Sequence, residues 1–113
     1  MSMELSAENE ERLCVVTVQD GRIDAAVALE FKERVRQLTE AAQRAVLLDL
    51  SQVDFIDSSG LGAIVSTMKH LSPDRELVLS GLTPTVARVF KLTRMDSVFA
   101  VYPTREAAVD DLG

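Results

Sequence analysis

The 113-residue sequence is poor in cysteine, in long apolar runs and in clusters of basic residues. These features are typical of extracellular, membrane-spanning and nucleic-acid-binding proteins respectively. Its one cysteine, Cys14, cannot form a disulfide within the chain, which is typical of a reducing compartment. No apolar run is long enough to span a membrane, and the acidic first residues lack the apolar stretch of a signal peptide. Lys and Arg number 12 against 18 Asp and Glu, without a basic cluster. We therefore expect a cytoplasmic protein that does not bind nucleic acid or an anionic membrane directly.

Groups for catalysis and metal binding are also scarce. The sequence has one histidine, His70, and no cluster of His, Cys and acidic residues with the spacing of a metal site. A Gly-x-Ser-x-Gly nucleophile elbow and a Gly-x-x-x-x-Gly-Lys phosphate loop are both absent. An enzyme that uses Ser58 as nucleophile is an alternative, but His70 lies near the far end of the same predicted helix, out of reach. We expect no enzyme, no metal and no cofactor.

The composition is that of one ordinary globular domain. Hydrophobic residues make up 47% and charged residues 27% of the chain, and the net charge is −6. The chain is long enough to bury a core, and it has no linker, repeat or low-complexity tract. We therefore expect a single domain over residues 1–113.

Strand and helix patterns alternate along the chain. Apolar runs predict strands at 3–7, 13–18, 45–50, 76–80 and 97–101, and apolar residues at spacings of three and four predict helices at 25–42, 58–70, 84–93 and 105–112. This order predicts an α/β fold, with a mixed sheet of four to five strands covered by about four helices. The first two strands can pair as a hairpin that turns at Asn9-Glu10.

Polar residues stand where the predicted helices begin. Asp24, Thr83 and Thr104 are the predicted N-caps of the first, third and fourth helices, and Pro84 fits the first helical position. Either Ser58 or Asp57 can cap the second helix. Asp24 is as good a cap as it is a residue for contacting a partner.

The segment from Val46 to Val65 is the one around which the chain is organised. A buried strand leads to Ser58 and Ser59 in the first turn of a helix, whose predicted buried face is Leu61, Ile64, Val65 and Met68. That turn has unpaired N–H groups and a partial positive charge, so it tolerates an anion. These features indicate a phosphorylation switch at one of the two serines.

Three segments in order resemble a known family. The run Asp57-Ser58-Ser59-Gly60-Leu61-Gly62, directly after a Leu-Asp-Leu strand, resembles the STAS domain family, and more narrowly the free-standing bacterial anti-sigma factor antagonists. Gly21-Arg-Ile-Asp24 and the segment 80–90 are similar to further motifs of that family. The resemblance covers nearly the whole chain.

The resemblance implies a function in partner switching that controls transcription indirectly. In that family an anti-sigma factor, which is also a serine protein kinase of the histidine-kinase-like ATPase fold, phosphorylates the first serine after the aspartate. That serine is Ser58 here, with Ser59 as the alternative acceptor. The unphosphorylated form binds the anti-sigma factor and frees the sigma factor, and a PP2C-type phosphatase resets the switch.

The partner is expected to contact the start of the second helix. Gly60 and Gly62 leave that start without bulky side chains, so a partner can approach closely, and Ser66 continues the same outward face. The expected partner-binding residues are Asp24, Asp57, Ser58, Ser59, Gly60, Gly62 and Ser66.

Other interpretations of the same residues remain open. Gly60 and Gly62 can serve only close helix–sheet packing, and Cys14 and Met68 can be core residues. The apolar residues after Asp24 depart from the polar ones common in the family, so Val27 or Leu29 can be partly exposed and form an apolar docking edge. The alternative function is a non-phosphorylated STAS scaffold subunit of a transporter or lipid-transport assembly.

Overall fold

The alternating strand and helix patterns produce a five-stranded mixed sheet with helices on both faces. The computed structural model describes residues 3–10, 13–40 and 45–112. Its strands are β1 Leu5–Glu10, β2 Leu13–Val18, β3 Arg22–Ile23, β4 Ala45–Asp49, β5 Phe55–Ile56, β6 Leu77–Ser80 and β7 Ala100–Tyr102. Its α-helices are α1 Ala28–Leu38, α2 Ser58–Leu71, α3 Pro84–Leu92 and α4 Arg105–Leu112, and a 3₁₀ turn covers Met95–Ser97.

The sheet has the strand order β1-β2-β4-β6-β7. β1 and β2 form the predicted antiparallel hairpin, and each of the other neighbouring pairs is parallel, as crossover connections through helices require. The predicted fold class, a mixed α/β sheet with four helices, is confirmed.

Apolar side chains cover both faces of the central strands, because both faces are packed against helices. The larger cluster includes Phe31 of α1, Ile64 of α2 and Phe90 of α3. The smaller cluster lies under α4 and consists of the buried residues Leu13, Val15, Leu47, Val78 and Ala108. Three helices therefore pack on one face of the sheet and one helix on the other.

The first and last strands of the five-stranded sheet differ most from prediction. β1 extends to Glu10, which pairs with Leu13, so the prediction that Asn9-Glu10 forms the turn is wrong. The last strand begins at Ala100 rather than residue 97, because residues 95–97 form a 3₁₀ turn that precedes the buried Phe99. The Phe99 ring packs edge-on against Phe90, with the ring centroids 6.0 Å apart.

α1 begins later than predicted, at Ala28, because Asp24 folds the chain into a turn instead of capping the helix. One oxygen of Asp24 accepts a hydrogen bond from the backbone N–H of Ala26 at 3.1 Å, and Val27 occupies the N-cap position without a side-chain cap. α1 ends at Leu38, with Thr39 as its C-cap, so the predicted end near residue 42 is wrong.

α3 and α4 start where predicted, but only α4 has the predicted side-chain cap. Pro84 is at the first position of α3, but the Thr83 hydroxyl donates to the carbonyl of Val53 instead of capping the helix. The Thr104 hydroxyl accepts from the N–H of Ala107, so the predicted cap of α4 is confirmed.

The buried face of α2 is rotated from the predicted one. Its buried residues are Gly60, Ala63, Ile64, Thr67 and Leu71. The other three residues of the predicted face, Leu61, Val65 and Met68, are half-buried and pack against the core. Glycine and threonine lie on the buried side because α2 packs close to its neighbours, which an apolar periodicity does not reveal.

Cys14 is a buried core residue, as one interpretation of the sequence expected. Burial raises the pKa of its thiol, which keeps the thiol protonated and unreactive.

Candidate functional site

A second, two-stranded sheet brings the starts of α1 and α2 together. β3 and β5 pair in parallel, with Arg22 opposite Phe55 and Ile23 opposite Ile56. Parallel strands end at the same edge of a sheet, so the two residues that follow, Asp24 and Asp57, lie at one edge. Neither strand was predicted from the sequence, since two residues are too few to show a period.

The carboxylate of Asp57 links the start of α2 to the turn that precedes α1. One oxygen accepts a hydrogen bond from the N–H of Gly60 at 2.9 Å and so caps α2, while the other accepts from the N–H of Ala25 at 3.1 Å. These bonds, the one from Gly60 above all, lower the pKa of Asp57. Asp57 is therefore ionised at neutral pH, and its negative charge lies at the N-terminus of α2.

Ser58 occupies the first turn of α2, and its side chain is free. Ser58 and Ser59 are both exposed, and in the described part of the chain no group forms a hydrogen bond with the Ser58 hydroxyl. The interpretation of Ser58 as the N-cap is wrong, because Asp57 is the cap. The hydroxyl is thus open to an enzyme that modifies serine.

The two glycines of the motif have different surroundings. Gly60 is buried, and a Cβ on it would lie 1.9 Å from the carbonyl oxygen of Ile23. Gly62 is exposed, and a Cβ on it would meet nothing within 4 Å. The expectation that both glycines lie on the open face holds for Gly62 and is wrong for Gly60, which permits close packing of α2 on β3.

Asp24 lies beside this turn, half-buried. Besides its bond to Ala26, it forms an ion pair with Arg22 at 3.5 Å. The Arg22 guanidinium also lies over the ring of Phe55, 6.0 Å from its centroid. Phe55 is 47% exposed, and sequence reasoning missed it. β5 has only two residues, so the sequence carried no periodic signal for the exposure of Phe55.

The outward face of α2 continues from Gly62 to Ser66, one turn further along and also exposed. Beside it, Leu29 of α1 is 64% exposed and Val27 is half-buried. The predicted partial exposure of these two residues is confirmed.

The one histidine of the chain, His70, does not lie beside Ser58. His70 lies twelve positions along α2, about 18 Å away at the rise of an α-helix. Among residues 3–10, 13–40 and 45–112, no group of His, Cys, Asp and Glu is placed to hold a metal ion. No helix in the described ranges is both long and apolar enough to cross a membrane.

The fold and this helix start define a STAS domain. The family model described as STAS domain matches residues 4–108, and the protein belongs to this family.

Similar proteins indicate which kind of STAS domain protein the chain resembles. The chain is 32% identical to BtrV of Bordetella bronchiseptica, provisionally named an anti-sigma factor antagonist, over 94% of this chain and 91% of BtrV. It is 26% identical to the anti-sigma-B factor antagonist of Staphylococcus aureus, over 89% of this chain and 94% of that protein. The crystal structure of an anti-sigma factor antagonist from Mycobacterium paratuberculosis superposes with a TM-score of 0.86 at 27% identity, covering 98% of this chain and 94% of that one.

These findings confirm the predicted family and agree with the predicted class. Two transport proteins also contain the fold, at 18% and 16% identity, and a likeness at that distance shows the fold alone. The transporter alternative therefore has no better support than the antagonist.

Proposed function

We propose that this protein is an anti-sigma factor antagonist that a kinase switches off by phosphorylating Ser58. The observation that carries the proposal is the free, exposed hydroxyl of Ser58 beside the ionised carboxylate of Asp57. In the unphosphorylated state the start of α2 binds the anti-sigma factor. The sigma factor that this partner would otherwise hold is then released.

Charge explains how phosphorylation would end the complex. A phosphate adds about −1.5 to −2 charges at neutral pH. Asp57 already accepts the N–H of Gly60, and Asp24 holds a second carboxylate at the same edge. Arg22 pairs with Asp24, so the phosphate would add chiefly to the negative charge of Asp57, and a partner surface fitted to a neutral hydroxyl would be repelled. Because Ser58 is exposed, the fold itself would change little.

The proposal includes the enzymes that operate the switch. The anti-sigma factor acts as the serine protein kinase, with a histidine-kinase-like ATPase fold, and a PP2C-type phosphatase removes the phosphate. The exposed Ser58 and the bare backbone at Gly62 would let an enzyme approach closely. The protein itself performs no catalysis in this scheme, and it would act in the cytoplasm, where its partner controls transcription.

Binding measurements on Ser58 variants test the proposal. Ser58→Ala keeps a small neutral side chain and can be used to capture the anti-sigma factor from cell extract for identification and purification. Titration calorimetry should then give similar affinities for wild type and Ser58→Ala, and a loss of about 100-fold or more for Ser58→Asp.

Ser59→Asp is the matched control, because it places the same charge on the neighbouring exposed serine. We expect a smaller loss than for Ser58→Asp, and phosphate on the Ser58 peptide after incubation with the partner and ATP. Full affinity of Ser58→Asp for the anti-sigma factor would refute the switch.

A further inference from the structure

A groove runs between α1 and α2 and begins beside Ser59. It is lined from α1 by Leu29, Lys32 and Arg36 and from α2 by Gly62, Ser66 and His70. Its upper and lower parts share Leu29 and Lys32, so they form one surface, the α1–α2 groove. From Gly62 to His70 the groove follows α2 for about 12 Å, or two helical turns.

The groove combines an exposed apolar side chain with positive charge. Leu29, at its centre, is 64% exposed. Lys32 and Arg36 lie one turn apart on α1, and in the described part of the chain neither forms an ion pair, while the lining holds a single carboxylate, Glu33. In a protein of net charge −6, this groove is a local cationic strip around a leucine.

The inner polar groups of the groove are already satisfied. Thr39 and Thr67 are buried, and their hydroxyls donate to the carbonyls of Val35 and Ala63 within their own helices. No buried polar side chain is thus left to orient a small ligand, and the groove is open to solvent rather than enclosing. These properties suit an amphipathic helix, which lays one apolar face into a groove between helices.

We propose that the α1–α2 groove binds an acidic amphipathic helix of the anti-sigma factor. One apolar side chain of that helix packs on Leu29, and its carboxylates pair with Lys32 and Arg36. This inference rests on the proposed function and adds a second contact to it. The contact at Ser58 responds to phosphorylation, whereas the contact in the groove selects the partner by charge.

Direct binding of the purified anti-sigma factor tests the groove. Lys32→Glu/Arg36→Glu should raise the Kd about 100-fold, and Leu29→Ala about tenfold, since it removes the central apolar anchor. Arg88→Glu/Lys91→Glu on α3 is the matched control, because it reverses two exposed charges on another helix, and it should change the Kd less than twofold. Hydrogen exchange of the partner should show a protected acidic segment with wild type that loses protection with the charge-reversed groove.

Ser58→Asp in the same titration separates this inference from the proposed function. If Ser58→Asp abolishes binding but the groove variants bind as wild type does, the groove proposal is wrong and the switch stands. If Ser58→Asp binds fully, the switch is wrong whatever the groove variants do. A groove that instead takes small anions, seen as shifts of its amide signals on titration with inorganic phosphate while partner affinity is unchanged in the groove variants, also overturns the proposal.

Discussion

The two sides of the start of α2 differ in what surrounds them. On one side a Cβ at Gly60 would lie 1.9 Å from a backbone oxygen of β3, and on the other a Cβ at Gly62 would meet nothing within 4 Å. The buried side fixes the helix against the scaffold, and the exposed side presents Ser58 and Ser66 to solvent. A motif of small residues can thus combine a packing requirement with an open surface, and only the neighbours of each residue tell the two apart.

Gly60→Ala should have the largest effect on folding. The added methyl group meets the backbone carbonyl of Ile23, which cannot rotate away as a side chain can. We expect a loss of about 3 kcal/mol or more in the free energy of unfolding, measured by urea denaturation. That loss is a large part of the total stability of a small domain.

A variant that fails to fold would agree with this expectation, and so would one with a strongly lowered urea midpoint. Gly60→Ala with wild-type stability would show that α2 does not pack on β3 as closely as described. The two glycines, Gly60 and Gly62, would then not differ in their packing.

Asp57→Asn should have the second largest effect. The asparagine oxygen can still accept the hydrogen bond from the N–H of Gly60. Its NH2 group then faces the N–H of Ala25, and two donors cannot form a hydrogen bond with each other. The link between the start of α2 and the turn before α1 is lost, and we expect a melting temperature a few degrees lower at pH 7. Asp24→Asn is the matched control, since Asp24 caps no helix, and it should cost less.

The stabilisation of the fold by Asp57 should decrease at low pH. Its pKa in the folded state lies below its ordinary value of 3.8, so the carboxylate stabilises the fold at pH values above that number. As the pH falls below 3.8 and then through the pKa of the folded state, Asp57 becomes protonated and its stabilisation of the fold disappears. The difference in melting temperature between wild type and Asp57→Asn should therefore be full at pH 6 and shrink toward pH 3, and a constant difference would contradict the role of the charge.

Much of the fold could be predicted because the long elements carry strong patterns. The runs that form β2 and β4 have apolar residues facing both sides, and the spacing in α1 and α3 marks one buried stripe. The pair β3–β5 could not be predicted, since it has two residues per strand and is formed by tertiary contact alone. The later start of α1 has a similar cause, because Asp24 bonds to Ala26 in a local turn that competes with capping.

The site was predictable in its residues but not in their separate roles. The sequence left both Ser58 and Asp57 as candidates for the cap, and a bond between Asp57 and Ala25, 32 residues apart in the chain, decides how the carboxylate is used. It also treated Gly60 and Gly62 alike. The position of Ile23 distinguishes them, and that position depends on the unpredicted strand pair.

Gly62→Ala should have the smallest effect on folding, and of the opposite sign. The position is helical, exposed and has open space for a methyl group, so the variant gains the helix propensity of alanine. We expect an increase of about 0.5–1 kcal/mol in the free energy of unfolding. Ser66→Ala, one turn along the same face, is the control, and it should gain less because serine is a better helix former than glycine.

The affinity for the anti-sigma factor provides a second test of the exposed side of α2. If the anti-sigma factor approaches the backbone at Gly62, the methyl group that stabilises the free protein should weaken the complex, by about tenfold in Kd. Stability and affinity would then change in opposite directions at one residue, which no packing glycine can show. A Gly62→Ala variant that is more stable and binds unchanged would place the partner elsewhere on the exposed side, and one that is less stable would mean that the space beside Gly62 is occupied.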